Sequence, residues 1–293
     1  MWPGQAAEHF ALRRLDPGPV AGAFAENYWS VRWQLTGRPS YRQEVIPHPC
    51  VNMTIESGYP GEVRHGYAMP AALVHGVVTR RFCIDLTQTG RVLGVRFRPG
   101  GFAALTGGNA SELRDQIRPL GHVFGNAADV LAAGVLAEED DERRVQLIEE
   151  FLAERAPSIS PAYQLVLSVV ADMLQDKSLV RVAQVTRRHG VSPRTLQRLF
   201  NRYVGASPKW VLTRNRLHDA AERLEREPGV PVAAVAAAAG YFDQAHFNHE
   251  FKALLRITPA QYAAQCAPRC GAGVVRGSDR HGRGGAARTP PVA

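Results

Sequence analysis

The first half of the chain alternates apolar and polar residues over short stretches. The alternation is clearest over residues 31–35, 51–55, 82–86 and 95–98, and Gly and Pro residues separate these stretches. Side chains of a strand point alternately to the two faces of a sheet, so a period of two predicts half-buried strands. Short strands separated by turns indicate a β-rich domain, either a small barrel or a sandwich.

The pattern changes to a helical period near residue 138. Apolar residues at intervals of three and four predict an amphipathic helix over residues 142–155, and nearly every segment from 161 onward has the same period. The last residues are rich in Gly, Pro and Arg, a composition typical of disorder. We therefore predict an α+β protein with four parts: a β-rich domain at 1–137, a helical linker at 138–160, an all-α domain at 161–265 and a disordered basic tail at 266–293.

Within the all-α part, a short helix precedes a turn and a basic helix. The predicted first helix ends at Gly190, Ser192 is placed to cap the next helix, and Pro193 to begin it. The apolar stripe of that second helix consists of Leu196, Leu199, Phe200 and Tyr203. Its polar face carries Arg194, Gln197, Arg198, Asn201 and Arg202. This order is that of a helix-turn-helix unit, in which the second helix enters the major groove of DNA.

The same plan occurs again after residue 230. A short helix of small residues over 231–239 ends at Gly240, and Asp243 is placed to cap a helix that buries Phe247, Phe251 and Leu254. The residues turned away from this apolar stripe are Gln244, Ala245, His246, Asn248 and His249. In isolation, the spacing of His246 and His249 also fits half of a metal site. Because the neighbouring positions supply Gln244 and Asn248 instead of further ligands, we interpret the pair as facing DNA.

A single long helix, predicted over residues 207–226, joins the two units. At ~1.5 Å per residue, roughly 20 residues span about 30 Å, and one turn of B-DNA is about 34 Å. Such a helix can place the two outward helices in successive major grooves on one face of a duplex. This match of lengths is the main physical reason to predict double-stranded DNA as the partner.

The distribution of charge supports the same interpretation. The formal net charge of the 293 residues is +8. Acidic residues concentrate between 138 and 154, whereas Lys and Arg dominate residues 187–226. We expect the acidic stretch at 138–142 to be a solvated linker or a helix start. No run of apolar residues is long enough to span a membrane, and no signal peptide is evident, so we expect a cytoplasmic location.

Four stretches resemble the DNA-binding domain of the AraC/XylS transcriptional regulators. They are S-x-R-T-L-Q-R-L-F at 192–200, G-A-S-P-K-W at 205–210, R-L-x-x-A at 216–220, and G-Y-F-D-Q-A-H-F-N-H-E-F-K at 240–252 followed by T-P-A-Q-Y at 258–262. The resemblance implies that the first recognition helix contacts bases through Arg194, Gln197 and Arg198. His249 stands where the family frequently has Arg, and Ala245 is short, so we expect the second helix to contact mainly phosphates. The complete expected DNA-binding set is Arg194, Thr195, Gln197, Arg198, Asn201, Arg202, Gln244, Ala245, His246, Asn248 and His249, with phosphate contacts from Ser192, Lys209, Arg214 and Asp243.

The N-terminal half resembles, over a shorter set of motifs, the sensor domain of some members of that family. The motifs are E-N-Y-W-S-V-R-W at 26–33, I-P-H-P-C-V-N-M at 46–53 and L-G-V-R-F-R-P-G-G-F at 93–102. The resemblance implies a cupin-like β domain that binds an unidentified small molecule or forms dimers. The aromatic residues that can line a pocket or simply form a β core are Trp29, Trp33, Tyr41, Tyr59 and Phe97, and we favour the core.

The candidate metal ligands do not form a convincing set in the sequence. His48, Cys50, His65 and His75 lack the close spacing of a metal motif, and Cys266 with Cys270 has no second pair nearby. We therefore expect no metal, no cofactor and no disulfide framework formed by Cys50, Cys83, Cys266 and Cys270.

The sequence as a whole predicts a DNA-binding transcriptional regulator, for example an activator that contacts RNA polymerase, as a homodimer or monomer. No nucleophile with an ordered base and no phosphate-binding glycine loop is evident, so we expect no enzymatic activity. Two alternatives stay open. The N-terminal domain can serve dimerisation alone in a ligand-independent DNA binder, or it can be an enzyme domain directed to DNA.

Overall fold

The computed structural model describes residues 8–45, 48–80 and 82–266. In this part of the chain, the N-terminal half folds into strands β1 (Ala11–Leu15), β2 (Ala25–Gln34), β3 (Tyr41–Val45), β4 (Asn52–Ser57), β5 (Val63–Arg64), β6 (Tyr67–Ala68), β7 (Ala71–His75), β8 (Phe82–Leu86), β9 (Thr89–Phe97) and β10 (Ile117–Pro119). A six-stranded antiparallel sheet has the order β1-β2-β9-β4-β7-β10, and β3 pairs with β8 as a separate ribbon. The predicted β-rich domain is thus confirmed.

The two faces of the six-stranded sheet have different partners, as the alternation in β4 demonstrates. Met53 and Ile55 belong to a large apolar core that the sheet shares with the helices. Thr54 and Glu56 alternate with these residues along β4. They are buried on the opposite face of the sheet, where they line a cavity. The polar positions of this strand therefore face an interior space and not solvent.

The helices are α1 (Gly101–Thr106), α2 (Gly121–Phe124), α3 (Asn126–Ala137), α4 (Asp141–Ala153), α5 (Pro161–Gln175), α6 (Val182–Arg188), α7 (Pro193–Leu199), α8 (Pro208–Arg226), α9 (Val232–Ala238), α10 (Gln244–Leu255) and α11 (Pro259–Cys266). Short 3₁₀ turns occupy Ala21–Ala23 and Ala110–Leu113, and one π turn occupies Phe200–Val204. An all-α C-terminal half with two helix-turn-helix units joined by α8 is confirmed. None of the helices in the described ranges is both long and apolar enough to cross a membrane. The tail predicted at 266–293 lies, after its first residue, outside the described residues.

Helix α4 packs against the sheet, and its acidic start is only partly solvated. Asp141 is 4% exposed, and its carboxylate accepts hydrogen bonds from Ser30 (2.8 Å), Arg32 (2.8 Å) and the fully buried Arg144 (2.9 Å). The interpretation of residues 138–142 as a solvated linker is therefore wrong for Asp141. The alternative, a helix start, holds because the carboxylate of Asp140 caps α4 through the N–H of Arg143.

The first helix-turn-helix unit shares one continuous apolar core with the N-terminal domain. Leu196, Phe200 and Val211 belong to the same cluster of buried side chains as the sheet residues. The approach of the two parts is close at Gly205, where an added Cβ would lie 2.8 Å from the carbonyl oxygen of Ala110. Gly205 also has a φ of +81°, which favours glycine.

The second helix-turn-helix unit has a separate core. Phe247, Phe251, Tyr241 and Tyr262 pack with Leu217 and Leu224 from the C-terminal half of α8. Helix α8 therefore contributes its first half to the large core and its second half to the small one. This division means that the two recognition units rest on different structural bodies joined through α8.

Candidate DNA-binding surface and interior cavity

Helix α7 begins as its sequence predicts, with Ser192 as the cap and Pro193 as the first residue. The hydroxyl of Ser192 accepts the N–H of Thr195 (3.0 Å) and donates to the hydroxyl of Thr195 (2.9 Å), which fixes the N-terminus. The π turn of Phe200–Val204 extends the helix up to Gly205. Because Leu196 and Phe200 are fully buried, the opposite face of α7 is held toward solvent.

The outward face of α7 brings together the three expected base-contacting residues and two others of the expected DNA-binding set. Arg194, Gln197, Arg198, Asn201 and Arg202 are all exposed. The amide of Gln197 donates to the amide oxygen of Asn201 (3.0 Å). Among the described residues, neither Arg194 nor Arg198 has a hydrogen bond or a salt bridge, so both guanidinium groups are available to an external acceptor.

The outward face of α10 is more constrained. The carboxylate of Asp243 accepts the N–H of His246 (2.7 Å) and caps the helix, while Phe247 and Phe251 are fully buried. Gln244, Ala245, His246 and His249 are exposed, and Asn248 is half-buried.

A neighbouring carboxylate orients His246. Its Nε2 lies 3.2 Å from Oε1 of Glu250, and the other oxygen of Glu250 accepts the hydroxyl of Tyr241 (2.5 Å). A contact from His246 to DNA would have to compete with Glu250. This geometry agrees with the expectation that α10 serves mainly to position the protein, which stays a prediction.

The expected phosphate-contacting residues do not all lie on this surface. Ser192 and Lys209 are exposed, and Asp243 is exposed but engaged as a helix cap. Arg214 is only 4% exposed, and its Nη2 lies 3.3 Å from Nδ1 of His48 in the N-terminal domain. Burial lowers the pKa of Arg214 to about 10. We therefore correct its assignment from a phosphate contact to an interdomain contact.

A cavity of about 220 Å³ lies between the six-stranded sheet and the β3–β8 ribbon. Its apolar wall includes Trp29, Trp33, Phe82 and Ile84. Its polar wall consists of Arg14, Asn27, Gln43, His48, Asn52, Thr54, Glu56, Arg64, His65, His75 and Arg96. Of the aromatic residues predicted as either pocket or core, Trp29 and Trp33 line this cavity, whereas Phe97 belongs to the large core.

His48 connects the cavity with the DNA-binding half. Burial, with Arg214 and Arg96 nearby, lowers the pKa of His48 to about 2, so its imidazole is neutral at pH 7. The ring also lies beside His218 of α8, with 6.4 Å between the ring centroids. A change in the cavity at His48 therefore reaches α8 directly.

The four residues considered as metal ligands do not form one group in the structure. His65 and His75 come together, but their third neighbour is Glu56, and the sequence did not single out this residue. The missed signal is the polar pair Thr54 and Glu56 at alternate positions of a strand, which line the cavity together with both histidines.

Two protein families match this chain. Residues 185–265 match a helix-turn-helix domain, and residues 13–119 match a domain of unknown function, DUF6597. An uncharacterized HTH-type transcriptional regulator from Haemophilus influenzae is 30% identical over 95 residues. That alignment covers 32% of this chain and 32% of the relative, so the chain spans about a third of the length of the curated relative that it matches.

Two solved structures are also similar. The C-terminal domain of AraT, a response regulator from Geobacillus stearothermophilus, is 24% identical; the match covers 43% of this chain and 97% of that one, with a TM-score of 0.33. ToxT from Vibrio cholerae is 12% identical; the match covers 89% of this chain and 99% of that one, with a TM-score of 0.40. On the family match and the paired helix-turn-helix units, residues 185–265 are a helix-turn-helix domain of the AraC type.

Proposed function

We propose that the protein is a sequence-specific, DNA-binding transcriptional regulator. The observation that carries the proposal is the exposed face of α7, where Arg194 and Arg198 have no partner among the described residues. An arginine can pair bidentately with O6 and N7 of guanine, and Gln197 offers the groups that suit adenine. Helix α8 has 19 residues and thus an axial length of about 28 Å, which supports contacts to successive major grooves.

Replacement of Arg198 by alanine is expected to weaken binding at a specific site by about 1–3 kcal/mol and to relax the preference at one base position. The side chain is exposed, so the fold should not change. Selection of bound sequences from a random DNA library gives the site, and titrations of cognate and unrelated duplexes measure the effect. Equal binding by the variant and the parent protein at the selected site would refute the base contact.

A different result is expected for Lys209→Ala, the matched loss of one exposed positive charge at the start of α8. Phosphate contacts carry affinity without sequence information. This variant should therefore bind cognate and unrelated duplexes more weakly by a similar factor, and the slope of log K against log salt should fall by about 1. A loss confined to the cognate duplex would contradict the assignment of Lys209 to phosphate.

We further propose that a small molecule in the cavity controls DNA binding. The supporting geometry is the path from the cavity wall at His48 to Arg214 in α8, which joins the two recognition units. A ligand that displaces His48 would alter the packing of α8 and hence the spacing of α7 and α10.

A ligand-independent regulator is the competing proposal for the cavity. The His48→Leu variant removes the imidazole that contacts Arg214. Under our proposal, this variant should have a changed affinity for the operator. Its affinity should also no longer respond to extracts that contain small molecules. In a ligand-independent protein, operator affinity would not respond to extracts in either the parent or the variant.

A further inference from the structure

Three potential metal ligands meet on the polar wall of the cavity. Glu56 of β4, His65 of the β5–β6 turn and His75 of β7 each offer one ligand atom, and these atoms lie within 4.8 Å of one another. Nε2 of His75 is 3.3 Å from Oε1 of Glu56, and Nε2 of His65 is 3.7 Å from Oε2. All three side chains are more than nine-tenths buried.

The backbone at His65 is unusual and directs its imidazole inward. His65 has a φ of +56° and Gly66 a φ of +83°, which together form the two-residue loop between β5 and β6. Asn or Asp normally precedes Gly in such a loop, because both central residues need a positive φ. Here a histidine occupies the left-handed position, and its ring stacks on Phe82 (5.4 Å between centroids) with its edge toward His75. The loop thus carries an imidazole at a position where Asn or Asp is usual, and this imidazole packs against Phe82 and His75.

The charges around Glu56 leave room for a cation. Arg64 donates to Glu56 (2.9 Å) and to Glu62 (2.7 Å), so one buried guanidinium serves two buried carboxylates. Arg64, Glu56 and Glu62 together carry one net negative charge, and burying an uncompensated charge is costly. A cation held by Glu56 and the two imidazoles would supply positive charge at this place.

We propose that Glu56, His65 and His75 bind a divalent first-row transition-metal ion, such as zinc, on the wall of the cavity. Two imidazoles and one carboxylate are donors that such ions accept, and three protein ligands leave further coordination positions open. Arg64 would hold the second oxygen of Glu56 as an outer-shell partner. Because the triad lines the cavity, the open positions face the space in which a ligand would lie.

The test uses the tag-free full chain, stripped with a chelator and titrated with Co²⁺ and then Zn²⁺. We expect a single ion per chain, a visible d–d absorption band for Co²⁺ that Zn²⁺ abolishes, and a metal-dependent rise in the melting temperature of the protein. His75→Gln and His65→Gln should each weaken binding by more than about 100-fold, which exceeds the loss caused by outer-shell partners. Circular dichroism and the melting temperature without metal establish that each variant folds.

The matched control is the double variant His246→Gln/His249→Gln, which removes the exposed pair on α10. This variant should keep the Co²⁺ band and the affinity of the parent protein. The proposal would be overturned if the parent protein bound neither ion, if folded His65→Gln and His75→Gln proteins bound as well as the parent, or if the α10 variant lost binding. None of these results depends on whether the protein binds DNA.

Discussion

The Phe247→Ala variant is expected to lose the second helix-turn-helix unit while the rest of the chain stays folded. Phe247 is fully buried, with its ring centroid 5.2 Å from that of Tyr241 and 5.5 Å from that of Phe251. Truncation of a buried phenylalanine lowers the free energy of unfolding by about 3–5 kcal/mol. Here the destabilisation is confined to the small core of the second unit, which is separate from the large core. Hydrogen exchange should therefore show lost protection in α10 and α11 but unchanged protection in β9.

The control is Phe242→Ala, which removes the same side chain from a fully exposed position in the same segment. This variant should keep parental protection throughout α10. DNA titration adds a functional measurement, since Phe247→Ala should retain contacts through α7 and lose those through α10. Equal loss of protection in β9 and α10 would contradict the separation of the two cores.

The recognition units could be predicted from the sequence because their determinants are local. In each unit, the glycine that ends the first helix, the residue that caps the second helix and the apolar stripe of the second helix all lie within one short stretch of the chain. Ser192 and Asp243 cap their helices in the structure, and Phe247 and Phe251 are buried as their spacing predicts. Local periodicity suffices where a helix has one buried face and one exposed face.

The partner of Arg214 lay beyond such local prediction. Its position, three residues after Val211 and three before Leu217, is on the apolar stripe of α8, but its charge suggested a phosphate contact. The side chain is buried because the N-terminal domain brings His48 against α8. That contact joins residues far apart in the sequence, and no helical period encodes it.

Of the three proposed metal ligands, Glu56 was not predicted, for a related reason. Glu56, His65 and His75 come from two strands and a turn, and the register of β4 against β7 places His75 opposite Asn52. The hydroxyl of Thr54 lies between the two strand residues, 2.7 Å from Oε1 of Glu56 and 2.9 Å from Nε2 of His75. A polar residue at alternate strand positions is normally taken to face solvent. Here the β3–β8 ribbon covers that face of the sheet, so the same alternation places Thr54 and Glu56 inside a cavity.

Replacement of Arg144 by methionine is expected to destabilise the N-terminal domain by about 3–5 kcal/mol. Arg144 has no exposed surface; its guanidinium donates to Asp141 (2.9 Å) and to the carbonyl of Val135 (3.2 Å). Methionine fills much of the space but leaves the buried carboxylate with less positive charge beside it. Equilibrium unfolding in urea measures the free energy of unfolding, and the midpoint should shift to lower concentration.

The adjacent Arg143 supplies the control, since it is exposed on the same helix and Arg143→Met should change the free energy of unfolding by less than about 0.5 kcal/mol. A double-mutant cycle with Asp141→Asn isolates the pair, because the two losses should be less than additive if each removes the same interaction. Strict additivity would mean that Arg144 stabilises the fold independently of Asp141, through packing and its hydrogen bond to the carbonyl of Val135. A pair that is coupled in the cycle would instead establish that Asp141 and Arg144 act together to hold α4 against the sheet, where Ser30 and Arg32 complete the contact.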